Sequence, residues 1–298
     1  MLSYGATAMN GFTPSIQRKA MLGFLRQRSL SLWLLFGGIT LMFALSHLEY
    51  LSTKGMRKSL APGEWFWFQH KYYQLGLRLH LMAVLPASVL FVFQCVPCIR
   101  NNHRQIHRVG GRIAFTLLYV GAISGVLITP HAFGGSPSAQ AEGYTVAILI
   151  FFSSYKAWSR IRSRRITDHR KWALRCAFYL GSSISSRIML GITSLIAVYF
   201  GPQYVVFRCD ELDFTMTMGE ALTNVTRIPL EDKYPACGGN ISSWSTTVVP
   251  VRSAYTGGYE ELASALRLTF GASLWICLTI HAIGVECYLN SSTDENPL

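Results

Sequence analysis

Residues 107–128 read HRVGGRIAFTLLYVGAISGVLI, a basic, glycine-bearing start followed by 16 residues without a charge. The same pattern recurs on both sides. Arg78-Leu79-His80 enters one apolar run, and Asp168-His169-Arg170-Lys171-Trp172 opens another that carries Arg175 and Arg187. Such runs suit a lipid interior, where every backbone polar group must be satisfied within its own segment and a helix does this.

Composition agrees. The chain has 298 residues, 50% hydrophobic and 14% charged, against about 25% charged in soluble domains. The net charge of +12 would suit nucleic acid if the positive side chains shared one face. They fall instead in short links between apolar runs, so they read as topology signals and no nucleic-acid partner is expected. Runs near ~20 residues cross a bilayer. Spans are expected at about 30–48, 76–97, 113–128, 144–158, 172–200 and 263–289. The expected fold is all-α, a polytopic transmembrane helical bundle of about six spans embedded in the lipid bilayer. It divides into a cytosolic flank (1–29), the first span (30–48), a core four-span bundle (76–200), a partly folded lumenal loop (201–262), and a sixth span with a cytosolic tail (263–298). Rings at Trp65, Phe66, Trp67, Phe68, Tyr72 and Tyr73 suit a membrane–water interface.

Charge sets the expected orientation. Segments 1–29, 99–112 and 156–171 hold 15 of the 27 Lys and Arg, while 129–143 and 201–262 hold four. The positive-inside rule then puts the N-terminus in the cytosol, in the endoplasmic reticulum or another secretory-pathway membrane. Residues 201–262 carry eight acids against four bases. Asn224-Val225-Thr226 and Asn240-Ile241-Ser242 are glycosylation acceptors there. Cys209 and Cys237 can pair in an oxidising lumen, which stabilises by ~3 kcal/mol. Asn290 also heads a sequon but falls on the cytosolic side, so it is expected bare. Cys95 and Cys98 have redox spacing without the βαβ context that gives it meaning.

Ionisable groups inside spans mark functional candidates. His80 lies about one turn inside the second span, and Arg187 lies roughly 22 Å into the fifth. With Arg78, Arg267, His47 and His131 nearby, they outline a basic, imidazole-rich pocket toward the lumen. No acid within a span neutralises Arg187, which calls for a water-filled or carbonyl-lined cavity or an anionic ligand. His107, His169, Arg108, Arg112, Arg170, Arg175 and His281 gather toward the cytosolic rim. His80, Arg187 and His169 are the candidate catalytic residues. Glu286 is the one acid expected inside a span, which argues against a di-iron or magnesium–diphosphate site, and no metal site is expected.

Leu79-His80, His107-Arg108 with Gly111-Arg112, Gly121 and Gly125, and His169-Arg170-Lys171-Trp172 with Arg175 and Arg187 resemble a family of bacterial and fungal membrane proteins. That family is catalogued as a domain of unknown function, predicted membrane protein, and the resemblance covers about residues 76 to 190. The 201–262 loop resembles an elaboration of fungal members, some of which lie near secondary-metabolite genes. The resemblance implies the fold and leaves the reaction open. A weaker similarity is to transmembrane b-type cytochromes. It would make haem b the cofactor, held by His80 with His131 or His47, or by His107 with His169. No two spans here carry paired central histidines.

Three functions are weighed. The first is a pathway enzyme or accessory protein acting on a lipophilic small molecule, as in fungal secondary-metabolite biosynthesis. The second is transmembrane electron transfer through haem b. The third is a non-catalytic transporter or scaffold, which lacks support from inverted repeats or broken helices. No phosphate loop, dinucleotide fingerprint, nucleophile elbow or His-Glu-x-x-His motif is present, so whether the chain is an enzyme stays open at this point.

Overall fold

A computed structural model describes residues 22–24 and 27–294. Arg18, Lys19 and Arg26 of the expected cytosolic flank lie outside the described residues. Six long helices carry the chain: α1 (Gln27–Ser46), α2 (Lys71–Gln94), α3 (Arg104–Ile128), α4 (Pro137–Arg162), α5 (Ile166–Tyr199) and, after an intervening module, α7 (Tyr259–Asp294). Large apolar side chains stand exposed on them, including Met42 at 73%, Ile148 at 66% and Ile188 at 67%. Lipid tails accept such surfaces where water does not. The chain is thus an all-α polytopic membrane protein.

Among the described residues, five segments are long and apolar enough to cross a bilayer: Ser29–Leu51, Lys71–Gln94, Arg104–Gly135, Ile166–Tyr199 and Tyr259–Ser291. The expected span at 144–158 is also helical, since it forms most of α4, but it falls short in hydropathy. The reason lies on one face. Glu142, Ser153 and Ser154 are buried in the protein, while Ile148, Phe152 and Tyr155 point outward.

Among the described residues, those up to 46 with 84–118 form one compact unit, and 47–83 with 119–294 a second. In the first unit, Trp33 Nε1 donates to Val92 O at 2.9 Å, and Phe91 meets Phe115 edge-on at 5.9 Å between centroids.

In the second unit, α4 and α5 form a hairpin whose turn includes Arg164 in the left-handed region (φ 61). A polar ladder joins α5 to α7. Arg175 donates to Glu286 twice, from Nε at 2.6 Å and from Nη2 at 2.7 Å. Ser185 Oγ and His281 Nε2 are 2.6 Å apart, and Thr193 Oγ1 and Ser273 Oγ are 2.7 Å apart. Helices in lipid gain little from hiding apolar surface, so small residues and interhelical hydrogen bonds hold them.

The segment between α5 and α7 folds as a module of its own. Strand β1 (Tyr204–Arg208) pairs antiparallel with β2 (Val248–Arg252), with Val205 opposite Val251 and Phe207 opposite Val249. Helix α6 (Cys209–Thr223) packs Leu212 and Met216 with Phe207, Leu230, Val249, Val251 and Ala263. The expected disulfide is present: Cys209 is bonded to Cys237, 28 residues along the chain. The loop is therefore a folded domain with a sheet, a helix and a covalent staple.

A buried polar chamber in the second unit

The segment between α1 and α2 supplies the first component. Ser52 caps the short helix Thr53–Ser59, its side chain accepting from Gly55 N at 2.9 Å. Gly63 then turns the chain at φ +83 and delivers Glu64, which is 3% exposed. Glu64 Oε2 accepts from the backbone N–H of Phe133 at 2.9 Å. Phe133 is left-handed (φ 47, ψ 48), a conformation that costs a non-glycine residue of order 1 kcal/mol or more and here aims its amide at the carboxyl.

Arg267 enters from α7 and is 6% exposed. Its Nη2 donates to Glu211 Oε1, the same oxygen that accepts from Trp67 Nε1 at 3.1 Å. Its guanidinium lies 4.2 Å from the Phe207 ring centre. Two glycines make its slot: a Cβ at Gly63 would stand 2.9 Å from Nη2, and one at Gly134 2.9 Å from Cδ. Two polar atoms here are sealed from the surface without a hydrogen-bond partner among the described residues, Glu64 Oε1 and Arg267 Nε. Burial pushes the Glu64 carboxyl up to about 7, against the opposing pull of the Arg267 charge and the Phe133 amide.

Arg187 borders the chamber from α5. Its guanidinium sits 5.6 Å from Phe133 and 5.7 Å from Phe270, rings that stack at 4.0 Å. Its charge is felt at Tyr50, Glu64 and His80. Among the described residues it has neither a hydrogen bond nor an ion pair, and it stays accessible.

The expected site residues divide. His80 reaches the chamber's electrostatic neighbourhood, with Nδ1 2.8 Å from Gly121 O; Gly125 leaves room for the ring, since a Cβ there would stand 3.1 Å from Nδ1. His131 stacks on Trp67 at 4.2 Å and meets Tyr73 at 4.2 Å. His169 sits 18 residues before Arg187 on the same helix, about 27 Å away, with Nδ1 2.8 Å from Ala157 O. It does not join Arg187. His107 belongs to the other compact unit. Asn224 and Asn240 are exposed. No group of three or more His, Cys, Asp or Glu among the described residues is arranged to hold a metal.

Sequence reasoning missed Glu64, Glu211 and the pairing of Arg267. The Glu64–Phe68 stretch reads as interfacial aromatics, and Glu211 as one of many loop acids. The one available signal is Arg187 itself, a cation in a span whose counter-charge had to come from elsewhere.

Residues 77–209, somewhat under half of the chain, match the model of a family described as Predicted membrane protein (DUF2306). Along most of its length the chain is 24% identical, over 318 residues, to "Ava biosynthesis cluster protein G" of Aspergillus versicolor, covering 91% of each chain. No solved structure matches. The chain is therefore similar in its central spans to a predicted membrane-protein family, and nearly end to end to a fungal biosynthesis-cluster protein.

Proposed function

We propose that this chain is a secretory-pathway membrane protein of secondary-metabolite biosynthesis. It binds a lipophilic small molecule through an acidic group, a carboxylate or an enolate, at Arg187. The observation that carries the reading is Arg187 itself: a cation within a span, accessible, flanked by aromatic faces and lacking an ion-pair partner among the described residues. A charge at that depth is costly unless paired, and an anionic ligand supplies the pair. Aromatic walls suit the ligand's apolar body. His80 is the proton-transfer candidate, because an imidazole that donates through Nδ1 to a carbonyl keeps its lone pair on Nε2. The similarity to a biosynthesis-cluster protein supports the pathway assignment.

The test is genetic and chemical. Deleting the gene in the source organism removes or shifts one metabolite series, and the wild-type gene restores it. Arg187→Gln, expressed at equal abundance, fails to restore it, because a charge-assisted contact of about 1.5–3 kcal/mol is gone, roughly 10- to 100-fold in affinity. An unchanged profile on deletion removes the pathway reading. Full rescue by both Arg187→Gln and His80→Ala removes the site.

The orientation makes a separate prediction. With the N-terminus cytosolic, Asn224 and Asn240 face the lumen and carry glycans. Endoglycosidase treatment then raises gel mobility, and Asn224→Gln and Asn240→Gln each remove one step. A protein whose mobility is indifferent to the enzyme and to both substitutions contradicts that orientation.

A further inference from the structure

The chamber holds more chemistry than binding needs. Glu64 and Arg267 are each more than nine-tenths buried, at 3% and 6% exposure. Each keeps one polar atom with no hydrogen-bond partner among the described residues, Glu64 Oε1 and Arg267 Nε. Native interiors rarely leave such atoms unsatisfied without a water, an ion or a functional reason. The two are neighbours, since Gly63, just before Glu64, lies against the Arg267 guanidinium and the Arg267 charge acts on the Glu64 carboxyl. Each atom's sister is already engaged, Glu64 Oε2 by Phe133 N and Arg267 Nη2 by Glu211. Each side chain is therefore held in place by its engaged atom while the other atom stays unsatisfied.

We propose that Glu64 is a second proton carrier of this chamber beside His80, and that Glu64 Oε1 and Arg267 Nε together receive one oxygen of the bound molecule, an enol, enolate or enolisable carbonyl oxygen. This rests on the reading of Arg187 as the anion-binding group. The step balances without a co-reactant. The Glu64 O–H bond breaks, its proton forms an O–H bond on an enolate oxygen, and the electron pair stays on the carboxylate beside Arg267. The reverse step returns the proton. Arg187 holds the ligand's charge while it is an enolate, the charge passes to Glu64 with the proton transfer, and Arg267 Nε–H donates to the same oxygen before and after it.

Every charged group facing Glu64 bears on that proton. Arg267 and Arg187 favour the carboxylate, Glu211 favours the acid, and burial favours the acid most of all. His131, stacked on Trp67, lies within reach of Glu211. The folded protein therefore binds the Glu64 proton more tightly than the unfolded chain does. The resulting stability is full below the ordinary carboxyl value of 4.5 and is lost as pH rises through about 7.

The test uses full-length protein in lipid nanodiscs and infrared spectroscopy. Near neutral pH the wild type shows the C=O stretch of a protonated carboxylic acid. The component of that band lost in Glu64→Gln remains in Glu142→Gln, which removes another buried acid of the described residues, where Glu211 and Glu260 are buried too. Thermal stability falls with rising pH in the wild type, and the slope is shallower in Glu64→Gln. Benzoylacetone, a lipophilic enolisable diketone, shifts the wild-type band, and its affinity drops at least tenfold in Glu64→Gln and in Arg267→Gln of verified fold. A band that Glu64→Gln leaves unchanged overturns the proton carrier. Benzoylacetone that binds in an Arg187-dependent way yet leaves the band unmoved overturns the shared oxygen site. Benzoylacetone that does not bind the wild type removes the enolisable ligand, and with it the oxygen half of the proposal, while the band alone decides whether Glu64 holds a proton.

Discussion

Arg267→Met costs about 3–5 kcal/mol, because it strands the Glu211 carboxylate in a site that is about 5% exposed. Against a typical total of roughly 5–15 kcal/mol, that unfolds a large share of the protein. The double variant Glu211→Leu with Arg267→Met behaves differently. It removes both charges, and the main residual loss is the acceptor of Trp67 Nε1, worth about 1–3 kcal/mol. The gap between single and double variants measures the stranded charge. Thermal melts in detergent, with monodisperse fraction by size exclusion, read it directly. A single variant within about 1 kcal/mol of wild type would mean that Glu211 finds water or a proton, and the chamber would be wetter than its burial indicates.

Cys209→Ser loosens the module between α5 and α7 by about 3–4 kcal/mol, the chain-entropy value for a loop closed over 28 residues. The loss falls on a small core centred on Phe207, Leu212 and Val251, so opening is local. Limited proteolysis cuts Cys209→Ser rapidly between α6 and β2, where 224–229 and 238–240 have no regular structure. The helix α5–α7 pair, held by Arg175–Glu286 and Ser185–His281, resists. Equal cutting of wild type and variant would show that the strand pair and core suffice without the bridge.

Local signals made the spans legible. Uninterrupted apolar runs gave α1, α2, α3, α5 and α7, and two cysteines in one loop gave the disulfide. The low hydropathy of α4 is a matter of composition, but its cause is not: Glu142, Ser153 and Ser154 turn inward while Ile148 and Phe152 turn outward, and composition alone does not say which side faces lipid. His80 and Arg187 stood out because a charge or imidazole in a span is conspicuous alone. Glu64 did not, because its meaning needs Phe133 about 70 residues later and Arg267 about 200 residues later. The amide that fixes it comes from a left-handed phenylalanine, which no residue-type rule flags. His169 shares a helix with Arg187, but about 27 Å of axis lies between them.

The chamber is stitched from inside and outside the family-matched segment. Residues 77–209 bring His80, His131 and Arg187, whereas Glu64, Trp67, Glu211 and Arg267 come from flanking chain. Transplanting the matched core into another scaffold would carry the cation and the imidazoles and leave both carboxylates behind. On the proposed reading, exchanging the flanks while keeping the core is then the economical way to alter which molecule is accepted, much as one changes a key by recutting its edge rather than its shaft.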